Sequence, residues 1–244
     1  MLNSTKESNP IISQNDPHLI VQDIKYPGQT GDVKAHFARP KENVKLAGVV
    51  VIHENRGLVP HIKDVTRRVA LEGFLALAPD ALSPTGGTPQ DSADVPSLIQ
   101  KLDRDSTIKN FVAAVKYLKT HPQSTGKVGI TGFCWGGGMA NQVAVNSPDL
   151  NAAAPFYGMQ PAVEDVPKIK VPLLLHYAGL DERINQGISA YEEALKKAHM
   201  EYNLYIYEGA EHAFFNDTSP RYNEKAAKVA WERTISFFKD KLKT

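Results

Sequence analysis

From residue 47 onward, short unbroken apolar runs alternate with stretches whose apolar residues recur every three or four positions. Residues 47–52 (AGVVVI) form a run rich in β-branched side chains. A strand with both faces buried in a parallel sheet reads this way, whereas a half-exposed strand alternates. Ile62, Val65, Val69 and Ala70 then follow helical spacing up to Gly73. Residues 74–78 form a second buried strand, stopped by Pro79-Asp80, and residues 81–92 read as a Pro/Gly/Ser/Thr-rich loop. Ile108, Phe111, Val112, Val115 and Leu118 mark an amphipathic helix. Further strands are expected at 127–131, 152–157, 171–177 and 202–207, with helices at 136–146 and 186–198. A terminal helix carries Ala226, Val229, Ala230, Phe237 and Phe238. Ahead of this region, runs at 19–24 and 33–38 flank a Pro27-Gly28 turn signal, which predicts an antiparallel hairpin. The alternation predicts an α/β protein with a mostly parallel sheet covered by helices on both faces. Residues 1–16 are polar and read as a loose arm, and 17–244 as one domain. In such sheets ligands bind beyond the carboxyl ends of the strands.

Composition narrows the choice. A hydrophobic fraction of 42% over 244 residues supports a sizeable core. Lys+Arg 28 against Asp+Glu 27 leaves no basic excess to mark a nucleic-acid partner. A single cysteine makes no internal disulfide and no Cys-rich zinc site. No apolar run approaches the roughly 20 residues that span a bilayer, and no secretory signal opens the chain. The expectation is a cytoplasmic protein, an exported precursor staying open, with no membrane or nucleic-acid partner, acting as a monomer or weak homodimer. No metal and no cofactor are expected.

The sharpest local feature is Gly132-Phe133-Cys134-Trp135-Gly136-Gly137. It follows one predicted strand and opens a predicted helix, as a G-x-nucleophile-x-G turn does, with cysteine in the nucleophile position. The glycines let backbones approach where side chains would collide. The helix N-terminus beside Cys134 favours a thiolate. A lone cysteine is otherwise most often an inert small hydrophobe. The partners of such a nucleophile follow it in the order acid, then histidine. Asp181 lies just past the strand at 171–177, with Glu182 as a weaker rival. His212 lies past the strand at 202–207. Histidine there can accept the thiol proton and return one to the leaving group, with Asp181 fixing its tautomer. Asp181 also fits a plain helix cap, and His212 a surface loop residue. Three residues in the right order, each after its own strand, are more specific than any one.

At these positions the sequence resembles the dienelactone hydrolase family of the α/β-hydrolase superfamily. The resemblance is carried by the Cys134 turn, Gly179-Leu180-Asp181, Glu211-His212-Ala213-Phe214 and His53-Glu54-Asn55-Arg56-Gly57-Leu58, with His61-Ile62 and residues 76–80 in support. It covers roughly residues 20 to 242 and implies an α/β-hydrolase fold without a large cap domain. It implies a triad of Cys134, Asp181 and His212, and a thiol-activating glutamate at Glu54 that forms the thiolate only when substrate is present. It further implies an oxyanion hole made by the backbone N–H groups of Trp135 and Asn55. The chain departs from the family pattern at Asn216, four residues after the histidine, where dienelactone-cleaving members carry an arginine for the substrate carboxylate. Arg56 and Arg221 are the candidates to supply charge instead. Losing an arginine clamp changes substrate choice, because an unpaired buried anion is costly.

Arg56, Phe133, Tyr157 and Phe214 are the remaining candidates for substrate contact. Trp135 could also shape an acyl pocket, while His53 and His176 read as structural. The leading expectation is hydrolysis of a small-molecule lactone or carboxylic ester through a thioester on Cys134. Two alternatives differ in class: a non-catalytic binding module on the same fold, and a thioesterase or other acyl hydrolase using the same triad. With no long insertion to form a cap, small or surface-presented acyl groups are favoured, unless the loop at 81–105 covers the site.

Overall fold

The protein is described by a computed structural model covering residues 12–90 and 93–243. Eight strands form one sheet: β1 (Leu19–Gly28), β2 (Gly31–Pro40), β3 (Leu46–Ile52), β4 (Leu75–Pro79), β5 (Ser124–Phe133), β6 (Ala152–Phe156), β7 (Leu173–Ala178) and β8 (Tyr202–Tyr207). Their spatial order is β1-β2-β4-β3-β5-β6-β7-β8. The β1–β2 and β2–β4 pairs are antiparallel, and every later pair is parallel. The helices are α1 (Pro60–Leu71), α2 (Val95–Gln100), α3 (Arg104–Thr120), α4 (Trp135–Asn146), α5 (Glu182–Asn185), α6 (Ile188–Lys197) and α7 (Glu224–Lys241).

Continuous apolar runs became strands because both faces of the sheet are covered. Val49 and Val51 point into one core layer with Ile62, Val65 and Phe238, while Val50 and Ile52 point into the other with Phe111, Val115 and Val143. The same division separates Ala76 and Ala78 from Leu75 and Leu77 on β4. With a side-chain period of 2, a one-residue slip would exchange the two sets and misfit both layers.

Three local differences from the expected pattern have visible causes. The hairpin turns at Gln29-Thr30, two residues later than Pro27-Gly28 suggested, with Gly28 pairing Gly31. Asn110 of α3 fixes that turn, donating to Thr30 Oγ1 at 2.9 Å and accepting from the Thr30 N–H at 3.3 Å. The stretch after β4 is not wholly loop, because α2 forms with Pro96 in its first turn, where the missing N–H costs nothing. Of the expected loose arm, residues 1–11 lie outside the described residues. Ile12 is tied to α1: its N–H donates to Asp64 Oδ1 at 2.6 Å, and its carbonyl accepts from Arg67 Nε at 2.7 Å. No described helix is long and apolar enough to cross a membrane.

Candidate active site

The carboxyl ends of β3, β5, β7 and β8 bring the candidate residues to one edge of the sheet. Cys134 is the junction between β5 and α4, with φ 58° and ψ −118°. A side chain there is strained, and the strain persists only because the surroundings over-determine the turn. A Cβ on Gly132 would lie 2.2 Å from the Gly136 carbonyl oxygen, and one on Gly136 would lie 2.3 Å from that of His53. Only glycine at both positions lets β5, α4 and the end of β3 meet. The Cys134 N–H is satisfied by the Phe156 carbonyl at 3.1 Å.

The backbone N–H groups of Trp135 and Asn55 both lie close enough to the Cys134 sulfur to favour its thiolate. They come from different loops, so the pair exists only in the folded chain. Burial raises the thiol pKa, the Glu54 charge adds to that rise, and the two N–H groups with Arg183 only partly offset it. The resting group is therefore a thiol, although the helix N-terminus alone would favour thiolate. His53, fully buried, fixes the backbone here. Its Nδ1–H donates to the Glu54 carbonyl at 2.6 Å, its Nε2 accepts from the Ala81 N–H at 3.1 Å, and its ring stacks on Trp135. It is structural, as is His176. His176 lies between the Tyr207 hydroxyl at 2.9 Å and the Thr234 hydroxyl at 3.0 Å, and burial pushes its pKa down to about 3.

Asp181 divides its two carboxylate oxygens between the start of α5 and His212. Its Oδ1 accepts from the Ile184 N–H at 3.4 Å as the N-cap of α5, and its Oδ2 accepts from His212 Nδ1 in a short hydrogen bond. Nδ1 is thereby held as the protonated nitrogen, which leaves Nε2 as an acceptor. Glu182, the rival acid, is exposed at the start of α5. The two loops are joined by a bond from the Leu180 N–H to the Ala210 carbonyl at 2.9 Å.

Glu54 is buried and accepts from Asn216 Nδ2 at 2.7 Å. The segment carrying Asn216 is clamped to α1 through Asp217, which meets Arg68 at 2.7 Å and His61 at 3.1 Å; Arg68 also holds Asp64 at 2.5 Å. Burial alone would raise the Asp217 pKa, but the Arg68 guanidinium and the nearby His61 ring outweigh it and bring the group to about 2.

A cavity of about 330 Å³ opens on Cys134, within the size range of small-molecule sites. Its wall includes Asn55, Trp135, Met159, Arg104 and Arg183. Ile99 and Gln100 of α2 border it, so part of the stretch read as loop forms one of its sides. The aromatic candidates for substrate contact sit elsewhere. Phe133, Tyr157 and Phe214 are buried in a cluster behind the turn, where Phe133 stacks on Phe215 and Tyr157 packs on His212 and Phe214. Arg56 is exposed, and neither it nor Arg221 lines the cavity. The sequence reading missed Arg104 and Arg183. Arg67 and Arg68 are paired with acids, whereas Arg104 and Arg183 carry no ion pair among the described residues. Position in the chain gave no signal for them, because Arg104 opens α3 and Arg183 lies on α5, far apart in sequence.

The model of the dienelactone hydrolase family matches residues 33–242. A Saccharolobus solfataricus protein named "Putative carboxymethylenebutenolidase" is 36% identical over 89% of this chain and 98% of its own length. A protein of the same name from Escherichia coli (strain K12) is 32% identical over 95% of this chain and 91% of its own. Among solved structures, a Klebsiella pneumoniae protein described as "Putative Dienelactone Hydrolase" superposes with a TM-score of 0.83 at 28% identity, covering 91% of this chain and 98% of that one. A dienelactone hydrolase from Anabaena variabilis shares the fold at a TM-score of 0.72 and 21% identity, over 93% of this chain and all of that one.

Proposed function

This chain belongs to the dienelactone hydrolase family, and from that premise we propose that it hydrolyses a lactone or carboxylic ester through a thioester on Cys134, with His212 and Asp181 completing the triad. The observation that carries the reading is the pair of N–H groups, from Trp135 and Asn55, converging on the one cysteine in the chain. Donors placed there before reaction are worth a few kcal/mol each to a developing oxyanion, and a structural cysteine needs none.

The substrate carbonyl enters the cavity with its oxygen toward the two N–H groups. The thiol proton passes to His212 Nε2 and Sγ bonds to the carbonyl carbon. The electron pair displaced onto oxygen is held by Trp135 and Asn55. As the tetrahedral species collapses, the alkoxide leaves with the proton from His212 and a thioester remains. His212 then takes a proton from water, the hydroxide attacks the thioester, the C–S bond breaks to release the carboxylic acid, and His212 returns its proton to the sulfur. Glu54 makes the first step conditional, since its charge beside the sulfur disfavours thiolate while the site is at rest.

Arg183 and Arg104 favour an ester or lactone carrying an anionic group. A hydrogen bond to a charged partner is worth about 1.5–3 kcal/mol, so Arg183→Ala raises KM for such an ester roughly tenfold. Steady-state kinetics on a matched pair, a half-ester with a free carboxylate and its neutral methyl counterpart, test this. The neutral substrate changes less than about threefold in KM. Equal losses on both substrates point to a disturbed Asp181 and remove the case for anion selection.

A further inference from the structure

Asn55 stands on a short turn between β3 and α1, and that turn has little to hold it from within. Its closing bond, from the Gly57 N–H to the Glu54 carbonyl, is long at 3.4 Å. A bond of that length is weak, so the place of the Asn55 N–H depends on what grips the turn from outside. Both ends are gripped by one neighbouring loop, residues 80–88 after β4. At the first end, the Ala81 N–H donates to His53 Nε2 at 3.1 Å, and His53 Nδ1 donates to the Glu54 carbonyl at 2.6 Å. At the second, the Leu58 N–H donates to the Thr88 hydroxyl oxygen at 2.9 Å. That oxygen lies against Gly57, where a Cβ would stand 2.3 Å from it.

The Thr88 hydroxyl is itself aimed. Its proton goes to Asp80 Oδ1 at 2.8 Å, which leaves an oxygen lone pair for the Leu58 N–H. Asp80 is buried; its Oδ2 accepts from the Thr88 N–H at 2.6 Å, and its Oδ1 also accepts from the Leu82 N–H at 3.0 Å. The loop is anchored to β2 through Lys34. The Asp80 N–H donates to the Lys34 carbonyl at 2.8 Å, the Lys34 N–H to the Ser83 hydroxyl at 2.9 Å, and Lys34 Nζ to the Gly86 carbonyl at 2.6 Å. Neither Asp80 nor Thr88 lines the cavity at Cys134. We propose that Thr88 is a positioning residue for the oxyanion site: its hydroxyl, aimed by Asp80, holds the Leu58 end of the turn so that the Asn55 N–H stays where negative charge develops on the substrate oxygen. This rests on the reading that Cys134 attacks a carbonyl whose oxygen meets the Trp135 and Asn55 N–H groups. The two donors are held by different means. Trp135 is built into the start of α4, whereas Asn55 depends on a turn steadied from loop 80–88. A displaced donor still admits the neutral carbonyl of the substrate but stabilises the oxyanion less, so the loss falls on turnover and not on binding.

Thr88→Val keeps the shape of the side chain and removes the hydroxyl. In steady-state hydrolysis of a short p-nitrophenyl ester it loses roughly 10- to 100-fold in kcat, less than deletion of a whole oxyanion donor, while KM changes less than about threefold. Thr88→Ser keeps the hydroxyl without the methyl group and returns kcat to within about threefold of wild type. Thr88→Ala gives the same loss as the valine variant and serves should that variant fold poorly, with thermal unfolding identifying the folded proteins. A kcat unchanged in both the valine and the alanine variants overturns the proposal. So does a loss that serine fails to restore, or one that falls on KM alone. Cys134→Ala in the same assay keeps the two claims apart. Turnover equal to wild type there removes the nucleophile reading and this proposal with it, whereas an inactive Cys134→Ala beside a fully active Thr88→Val removes only the role of Thr88.

Discussion

Cys134→Ala is expected to lose ester hydrolysis by roughly 10⁵- to 10⁶-fold in kcat, the scale seen when a nucleophile is removed from a site that otherwise stays intact. Alanine suits the experiment because the backbone strain at φ 58° is already borne by a side chain of the same chirality. The Trp135 and Asn55 N–H groups keep their places, held by α4 and by the His53 bonds to Glu54 and Ala81. Substrate affinity should therefore survive while turnover does not. Steady-state assays of a short p-nitrophenyl ester, with binding of a non-hydrolysable analogue alongside, separate the two. A non-catalytic binding module would give no turnover in wild type either. Equal turnover in both proteins would place the nucleophile elsewhere.

Asp181→Asn is expected to cost roughly 10³- to 10⁴-fold in kcat. Both oxygens of this carboxylate accept hydrogen bonds, one from the Ile184 N–H and one from His212 Nδ1. An asparagine offers a single acceptor. If its oxygen stays with His212, its NH₂ faces the Ile184 N–H and the α5 cap is lost, at about 1 kcal/mol of stability. If its oxygen keeps the cap, the NH₂ meets Nδ1, the proton moves to Nε2, and the imidazole can no longer take the thiol proton. Kinetics and thermal unfolding of the same variant show which compromise is reached. The exposed rival carboxylate is tested beside it, since Glu182→Gln should change kcat by less than about twofold. Near-normal activity in Asp181→Asn with a large loss in Glu182→Gln would reverse the assignment.

Strands β3, β4, β6 and β7 were legible because burial on both faces leaves an unbroken apolar run, and few other contexts do. The Cys134 turn was legible for a related reason. Close backbone approach requires glycine at 132 and 136, and the requirement is written in the residues themselves. The hairpin turn at 29–30 was not, since Asn110, which fixes it, lies 80 residues away. Helix α2 was hidden by its proline and by the Gly/Ser/Thr-rich stretch before it. The aromatic candidates misled because Phe133, Tyr157 and Phe214 neighbour the site in sequence while their side chains turn into the core behind it. The arginines of the cavity wall and the Asn216–Glu54 bond, which spans 162 residues, depend on which loops meet, and local pattern does not encode that.

The central claim is a covalent bond between the substrate acyl group and Cys134. Its most direct test is to mix the protein with excess p-nitrophenyl ester, quench in acid within the first turnovers, and read the intact mass and the peptide containing residue 134. The account predicts one acyl group per chain, located on the Cys134 sulfur, sensitive to hydroxylamine and absent from Cys134→Ala. An acyl group on another residue, or steady hydrolysis by Cys134→Ala, would contradict it.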